Sequence, residues 1–142
     1  MESGFYLSDL VAIGETKQTG KGVFALEYLP EGLLLECSPV IVMSAAERAL
    51  LDQTRLHDYI FLWGEDEQQC AMALGYVPLY NHAPVSNCEY VMDFENATIS
   101  IITVRPVAKG EELFVNYNGD WNDERPVWFE ANFVAPEASK SE

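Results

Sequence analysis

Short apolar runs separated by glycine and proline turns occupy most of this sequence, and helical periodicity is clear in one place only. The longest run covers residues 33–43, where Val40, Ile41 and Val42 favour β structure. Residues 7–13 and 23–25 read as shorter strands, with a polar loop at residues 14–20 between them. This pattern predicts a mostly β fold built from several small sheets.

Two hairpins are predicted in the second half of this pattern. Each has two strand-like arms around a short polar turn, at residues 64–67 in the first and 95–97 in the second. The arms are residues 57–63 and 69–74 in the first hairpin, and residues 89–94 and 98–104 in the second.

One helix is predicted directly after the longest strand. Ser44-Ala45-Ala46-Glu47 has the pattern of a capping box, in which serine and glutamate satisfy each other's free backbone N–H groups. Good helix formers follow, among them Arg48, Leu50 and Leu51, so about three helical turns are expected.

Three short segments contain residue types that are typical of a functional site. They are Gly20-Lys21-Gly22-Val23-Phe24-Ala25, Asn81-His82-Ala83-Pro84-Val85-Ser86-Asn87-Cys88 and Gly110-Glu111-Glu112-Leu113-Phe114-Val115-Asn116-Tyr117. Each segment alone is a weak signal, because glycine turns and Gly-Glu-Glu sequences are common. Their order and spacing, with Tyr117 following His82 by 35 positions, make the combination specific.

In this order and spacing, the three segments resemble the SET domain family, the S-adenosylmethionine-dependent protein lysine methyltransferases. The second segment is similar to that family's Asn-His-Ser-Cys-x-Pro-Asn-Cys motif, with Ala83 where the family has serine and Asn87 as the second asparagine. The resemblance covers about residues 7–118. It implies a SET-type fold of small sheets with a threaded, knot-like C-terminal segment and one or two short helices.

The length of the chain predicts a single domain over residues 1–142, because 142 residues are too few for two ordinary domains. Its core is expected at about residues 7–118, followed by a C-terminal cap at residues 119–135. Residues 136–142 are expected to be disordered.

The resemblance also implies roles for particular residues. S-adenosylmethionine is expected to be bound by Lys21, Gly22, Phe24, Asn81, His82 and Tyr117. Tyr117 inherits the catalytic position, and Tyr90 matches a second tyrosine that lines the lysine channel in some members. Without this context His82 reads as a core histidine and Tyr90 as an ordinary strand aromatic, and for Tyr90 both interpretations stay open.

Trp121 and Trp128 also have two interpretations. Their rings either line the cofactor and lysine sites or serve only as packing anchors. No metal is implied by the resemblance, and the three cysteines have no spacing typical of a zinc site or a disulfide framework.

Two departures from the family pattern motivate a second hypothesis. Cys37 lies in Glu36-Cys37-Ser38-Pro39, where many members have Glu-Tyr-x-Gly and supply another active-site tyrosine, and Ala83 replaces a serine. The alternative is therefore a binding module that keeps the SET fold with weak or no turnover. A third hypothesis, a Cys-His hydrolase using Cys88 and His82, has no orienting third group or oxyanion motif to support it.

Charge narrows the range of partners. The 142 residues include 8 Lys and Arg against 23 Asp and Glu, a formal net charge of -15. Such a surface repels a phosphate backbone, which argues against nucleic acid as a direct ligand and favours a basic protein or peptide substrate. Acidic surfaces also serve solubility alone, so composition leaves that interpretation open.

The sequence shows neither an apolar run of membrane-spanning length, about 20 residues, nor a basic region followed by an apolar one at its start. We expect an intracellular protein without a membrane partner, cytoplasmic if the source is bacterial and nuclear if it is eukaryotic or viral. The sequence contains no signal for an oligomeric state.

Overall fold

The computed structural model describes residues 5–17 and 20–117. Within them the strands are β1 (Tyr6–Leu7), β2 (Val11–Thr16), β3 (Gly20–Ala25), β4 (Leu34–Met43), β5 (Phe61–Trp63), β6 (Gln69–Ala73), β7 (Asn81–His82), β8 (Cys88–Asp93), β9 (Thr98–Thr103) and β10 (Glu112–Val115). The helix α1 is Ala45–Leu51, and two 3₁₀ helices cover Arg55–Asp58 and Val77–Leu79. The predicted cap, the predicted disordered tail, Trp121 and Trp128 lie outside the described residues.

Two sheets form the described part of the fold. The larger has the strand order β5-β6-β4-β9-β8, with β1 also paired to β4, and all of its pairs are antiparallel. The smaller has the order β2-β3-β10-β7, in which β10 and β7 are parallel. The prediction of a mostly β fold of small sheets is confirmed.

The core lies where the inner faces of the two sheets meet. Its large side chains include Leu29, Leu35, Ile99, Ile101 and Leu113, all fully buried. They come from the apolar runs of the sequence, and burial of this surface is the main stabilising contribution to such a fold.

The prediction of one strand over residues 7–13 is wrong, because a turn divides it into β1 and β2. Ser8 produces this turn: its Oγ accepts a hydrogen bond of 3.0 Å from Leu10 N, while its own N–H donates to Leu35 O at 2.9 Å. A serine that bonds the backbone two residues ahead competes with regular strand pairing.

The prediction of a loop at residues 14–20 is also wrong in part. Residues 14–16 belong to β2, and β3 begins at Gly20, with Gly14 opposite Gly22 and Thr16 opposite Gly20. The strands therefore extend through glycines that weaken strand preference locally, because antiparallel partners supply the hydrogen bonds.

Strand β4 and the hairpin of β8 and β9 lie where they were predicted, within one residue at each end. In the first hairpin, residues 57–58 belong to a 3₁₀ helix and only Phe61–Trp63 form the strand.

The capping box of Ser44 and Glu47 is confirmed, with hydrogen bonds of 2.9 and 3.1 Å. The helix has seven residues, fewer than the three turns predicted. It ends early because Thr54 caps the next 3₁₀ helix: the Thr54 Oγ1 donates to Leu51 O and accepts from Leu56 N.

The last described segment passes between other parts of the fold. Strand β10 lies between β3 and β7, and Asn87 acts as an extra strand residue beside it: its Oδ1 accepts from Phe114 N at 2.8 Å and its Nδ2 donates to Glu112 O at 2.9 Å. Asn116 Nδ2 donates to Pro84 O at 2.9 Å. The loop of residues 83–87 thus holds this segment from one side while β3 holds it from the other, as the predicted threading requires.

A search of residues 5–17 and 20–117 finds no helix that is both long enough and apolar enough to span a bilayer.

Glu36 is a fully buried acid near the start of β4. Its Oε2 accepts hydrogen bonds from Ser38 Oγ at 2.6 Å and Tyr76 N at 2.7 Å, while its Oε1 has no partner among the described residues. Burial raises the pKa of this carboxyl, and its hydrogen bonds offset the rise only in part. The folded protein therefore holds a proton on Glu36 at pH values where the unfolded chain has lost it.

We expect Glu36→Gln to make unfolding less dependent on pH. Because the pKa of Glu36 is higher in the folded state, its contribution to stability is present below the ordinary glutamate pKa and is lost as the pH rises through the folded-state value. The wild type should lose more stability than Glu36→Gln between acidic and neutral pH in urea titrations. Glu31→Gln, at an exposed turn, is the control. Parallel pH profiles for wild type and Glu36→Gln would contradict this expectation.

Candidate active site

Tyr117 is held at three points directly after β10. Its hydroxyl donates a 2.7 Å hydrogen bond to Tyr80 O, its backbone N–H donates to His82 Nδ1 at 3.1 Å, and its carbonyl accepts from the Tyr90 hydroxyl at 3.1 Å. The rings of His82 and Tyr117 are 5.3 Å apart between centroids. The structure therefore brings Tyr117, His82 and Tyr90 together, and their catalytic and cofactor-binding roles stay predictions.

The parallel pairing of β7 with β10 produces this arrangement. Phe114 lies opposite Asn81 and Val115 opposite His82, so the two strands end side by side. Tyr80 precedes β7 and ends the 3₁₀ helix, which leaves its carbonyl free to accept the Tyr117 hydroxyl.

The Tyr117 phenol is neutral at ordinary pH. Burial raises its pKa well above the usual range, and the nearby Tyr59, Asp58 and Tyr90 raise it further. A phenol that keeps its proton and donates it to a carbonyl cannot act as a strong base. A phenol oxygen that donates its proton retains the chemical capacity to accept a hydrogen bond.

Tyr90 lies on the inner face of the larger sheet. It pairs with Ile101, which in turn pairs with Glu36, so the three side chains share one face. The Tyr90 ring packs edge-on against Phe61, with centroids 5.2 Å apart. Its hydroxyl contacts the backbone of the residue proposed as catalytic, which places Tyr90 at the site and leaves its role a prediction.

Both tyrosines line a cavity of about 560 Å³. Its walls come from α1, the 3₁₀ helix after it, β5 and β8, and they combine aromatic with charged side chains. The lining residues are Arg48, Asp52, His57, Asp58, Tyr59, Ile60, Phe61, Leu62, Gly64, Glu67, Pro78, Tyr90, Met92, Phe94 and Tyr117. We refer to this cavity as the groove.

Sequence reasoning missed most of the groove. Asp58, Tyr59 and Phe61 were assigned only to a hairpin arm, although they lie beside Tyr117 and Tyr90. Aromatic residues clustered with acids after a short helix were the available signal, but nothing in that stretch matches a motif. Their place depends on how the larger sheet curls, which brings β5 near β8.

The residues predicted to bind the cofactor divide between the two faces of the smaller sheet. Gly22, Phe24, Glu112, Phe114 and Asn81 share the outer face, by the register of β3, β10 and β7. Val23, Leu113, Val115 and His82 share the other face, where the three apolar residues are buried in the core. Asn81 and His82 therefore act on different sides: Asn81 faces outward beside Gly22, and His82 orients Tyr117.

Lys21 contributes its backbone to this outer face. Its side chain is exposed and paired with Glu15, whereas its carbonyl accepts a 3.1 Å hydrogen bond from Asn81 Nδ2. The same nitrogen donates to Glu112 Oε2 at 2.8 Å. A Cβ on Gly22 would overlap the Glu112 carboxylate and lie 2.9 Å from Asn81 Nδ2, so glycine is required here for close side-chain packing.

Phe24 lies on this face with its ring against Gly14, where an added Cβ would come within 2.9 Å of the ring. The outer face thus offers a partly exposed aromatic ring (Phe24), an amide side chain (Asn81) and nearby backbone groups. These groups suit a ligand that has one flat aromatic part and several polar groups. The outer face therefore fits S-adenosylmethionine by the chemistry of its groups.

Cys37 does not stand at an active-site position. It pairs with Ser100, which pairs with Val91, and these residues lie on the face opposite to Tyr90. The inward positions of this part of β4 are Glu36 and Ser38. A tyrosine at position 37 would therefore not have placed a hydroxyl on the Tyr90 side of the sheet. The cysteine at this position no longer supports the hypothesis of a binding module without turnover.

The hypothesis of a Cys-His hydrolase is wrong, because Cys88 is not in a state to act as a nucleophile. Cys88 is fully buried in β8, and burial raises the pKa of its thiol to about 12, although Arg105 opposes the shift. A thiol that is not deprotonated near neutral pH is a poor nucleophile.

Over the described part of the chain, no cluster of His, Cys, Asp and Glu could hold a metal ion.

The family model of the SET domain matches residues 20–118. A Schizosaccharomyces pombe protein named histone-lysine N-methyltransferase, H3 lysine-37 specific, is 37% identical over 119 residues, which cover 83% of this chain and 76% of that protein.

Two solved structures have the same fold. A provisionally assigned histone methyltransferase of Plasmodium falciparum has a TM-score of 0.59 at 23% identity, covering 81% of this chain and 98% of that one. A chain of the Chaetomium thermophilum Polycomb Repressive Complex 2 bound to GSK126 has a TM-score of 0.64 at 24% identity. The match covers 75% of this chain and only 15% of that larger one.

The fold and these similarities place the protein among the protein-lysine N-methyltransferases. Within that class, the chain belongs to the SET domain family.

Proposed function

We propose that this enzyme uses S-adenosylmethionine to methylate the side-chain amine of a lysine in a basic protein. The observation that carries the proposal is the Tyr117 hydroxyl, which is fixed on Tyr80 O in a residue that lines the groove. The Schizosaccharomyces pombe relative, whose name specifies histone H3, makes histone H3 the first substrate to test. A histone substrate would place the protein in the nucleus of a eukaryotic cell.

When bound, S-adenosylmethionine supplies an electrophilic methyl group on a sulfonium. Asn81, Phe24, Gly22 and the Lys21 backbone are the groups that would hold it, because they share or border the outer face of the smaller sheet. His82, the next residue of β7, faces the other side of the sheet and accepts from the Tyr117 N–H, so β7 links the two sides of the site.

The chain's own contribution to the reaction is alignment. Methyl transfer to an amine is an in-line displacement, so a neutral lysine amine must point along one line towards the methyl group. The Tyr117 hydroxyl oxygen (Oη) can accept a hydrogen bond from that amine, because its own proton is donated to Tyr80 O. The same oxygen can contact the polarised methyl group through a weak CH···O interaction. The amine reaches the site deprotonated by solvent, since the Tyr117 phenol keeps its proton.

The groove provides a surface for the rest of the substrate. Arg48 is turned towards Asp52 and the Glu67 carbonyl, and His57 bonds Asp52 at 2.8 Å. Among the described residues, the exposed carboxylates of Asp58 and Glu67 take part in no ion pair. They remain available to basic residues that flank the target lysine.

The direct test is transfer of a labelled methyl group to core histones, with an acidic protein of similar size as the negative control. We expect label on histone H3 and mass-spectrometric assignment to a lysine. Absence of label on every histone and on a lysine-rich extract, with the cofactor bound to the enzyme, would refute the proposed substrate class.

Salt should weaken substrate capture. Exposed charges are screened beyond about 8 Å at physiological ionic strength, so attraction of a basic peptide to a chain with a net charge of -15 falls as salt rises. We expect kcat/KM on a lysine-rich peptide to fall at least about threefold between about 0.03 and 0.3 M salt. Asp58→Asn should show a shallower slope than wild type. A flat profile for wild type would leave the acidic surface as a solubility feature.

Tyr90→Phe should change how many methyl groups are added. The Tyr90 hydroxyl donates to the backbone carbonyl of Tyr117, and both residues line the groove, where we propose that the methylated amine is held. Its removal frees roughly the volume of one water, about 30 Å³, and so favours higher methylation of the same peptide. Mass spectrometry after long incubation measures the product distribution, with Tyr28→Phe, 60% exposed, as the control. An unchanged distribution at an unchanged rate would make Tyr90 an ordinary strand aromatic.

A further inference from the structure

The Asn81 amide is fixed in one orientation by two acceptors. Its Nδ2 lies 2.8 Å from Glu112 Oε2 and 3.1 Å from Lys21 O. A carboxylate and a carbonyl can only accept hydrogen bonds, so both must face the NH₂ end of the amide. The Asn81 Oδ1 is therefore directed away from Glu112 and Lys21.

This oxygen is uncommitted in the described structure. No hydrogen bond to Asn81 Oδ1 is formed by residues 5–17 and 20–117, and Asn81 is partly exposed on the outer face of the smaller sheet. Gly22 and Phe24 share that face with it. An acceptor held in a fixed direction there suits an ammonium or amino group of a ligand.

Gly22 makes this arrangement possible. Any side chain at this position would occupy the space where the Glu112 carboxylate meets Asn81 Nδ2. The glycine predicted to bind the cofactor thus also leaves room for a hydrogen bond between two side chains.

We propose that Glu112 is a positioning residue for the cofactor, because its carboxylate forces the Asn81 amide to present Oδ1 to an ammonium or amino group of S-adenosylmethionine. This inference rests on the proposed function. Glu112 acts through Asn81 and need not touch the cofactor itself. Its role is distinct from that of Glu111, whose carboxylate accepts from Ala108 N at 2.9 Å and lies 3.6 Å from Arg105.

Substitutions at Glu112 and at Glu111 distinguish a specific positioning role of Glu112 from a general effect of removing one carboxylate. In Glu112→Ala the amide loses its strongest partner and can rotate, whereas in Glu112→Gln the side-chain oxygen can still accept from Asn81 Nδ2 through a weaker, neutral bond. We expect calorimetry to show S-adenosylmethionine bound about tenfold more weakly by Glu112→Ala and about threefold more weakly by Glu112→Gln. Glu111→Ala should bind it as the wild type does.

A second measurement does not depend on the cofactor. In the ligand-free protein, the side-chain NH₂ signals of Asn81 should shift in Glu112→Ala, shift less in Glu112→Gln and stay in place in Glu111→Ala. Equal affinities for Glu112→Ala and Glu111→Ala, with wild type binding normally, would overturn the positioning role alone. Failure of wild type to bind S-adenosylmethionine would overturn both this role and the proposed function. Matched melting temperatures for the variants show that each is folded.

Discussion

Tyr117→Phe is expected to lose methyl transfer by at least about a hundredfold while it still binds S-adenosylmethionine, because removal of one oriented polar group at a reacting centre typically costs that much. The hydroxyl has two tasks, one observed and one proposed. It is anchored on Tyr80 O at 2.7 Å, and in the proposed reaction its oxygen accepts a hydrogen bond from the lysine amine. Phenylalanine keeps the ring contact with His82 and loses both tasks.

Two measurements separate this effect from a loss of structure. Calorimetry should give the same cofactor affinity for wild type and Tyr117→Phe, because the backbone N–H that binds His82 is unchanged. The control is Tyr6→Phe, 45% exposed on the outer side of the larger sheet, which should keep full activity. If Tyr117→Phe retained wild-type kcat/KM, the catalytic role would be wrong.

The parts of the fold that depend on local patterns could be predicted from the sequence. Strand β4 was predictable from its β-branched run, the start of α1 from Ser44 and Glu47, and the β8–β9 hairpin from the polar turn at residues 95–97. In each case neighbours along the chain decide the structure, so the sequence contains the necessary information. The contact between His82 and Tyr117 was predictable only through the motif resemblance, since it depends on parallel pairing of distant strands.

The rest depends on register and on the curl of the larger sheet. A shift of one residue in strand pairing moves a side chain to the other face, so the sequence could not show that Cys37 faces away from Tyr90. The Glu112–Asn81 hydrogen bond joins residues 31 positions apart, on strands whose parallel pairing no local pattern predicts. For the same reason, the sequence predicts Gly22 only as a cofactor-binding residue and does not show its packing against the Glu112 carboxylate.

Asn81→Asp should strongly weaken cofactor binding near neutral pH, although it changes the size of the side chain very little. The substitution replaces the NH₂ donor with an oxygen that faces two acceptors, Glu112 Oε2 at 2.8 Å and Lys21 O at 3.1 Å. Repulsion would turn the new carboxylate out of position and leave Glu112 without its partner. We expect affinity for S-adenosylmethionine to fall by about a hundredfold, the cost of two lost hydrogen bonds to charged or carbonyl groups.

Lower pH should restore part of this binding. Two carboxylates at hydrogen-bond distance cannot both be ionised easily, so the pair takes up one proton at a pH above the ordinary pKa of either acid. That proton replaces one N–H of the lost amide and reconnects residue 81 to Glu112. Calorimetry at decreasing pH should therefore show a gain in affinity for Asn81→Asp and no such gain for Asn81→Ala, which cannot form the shared-proton bond. Equal pH dependence in the two variants would mean that the hydrogen bond to Glu112 does not determine how Asn81 binds the cofactor.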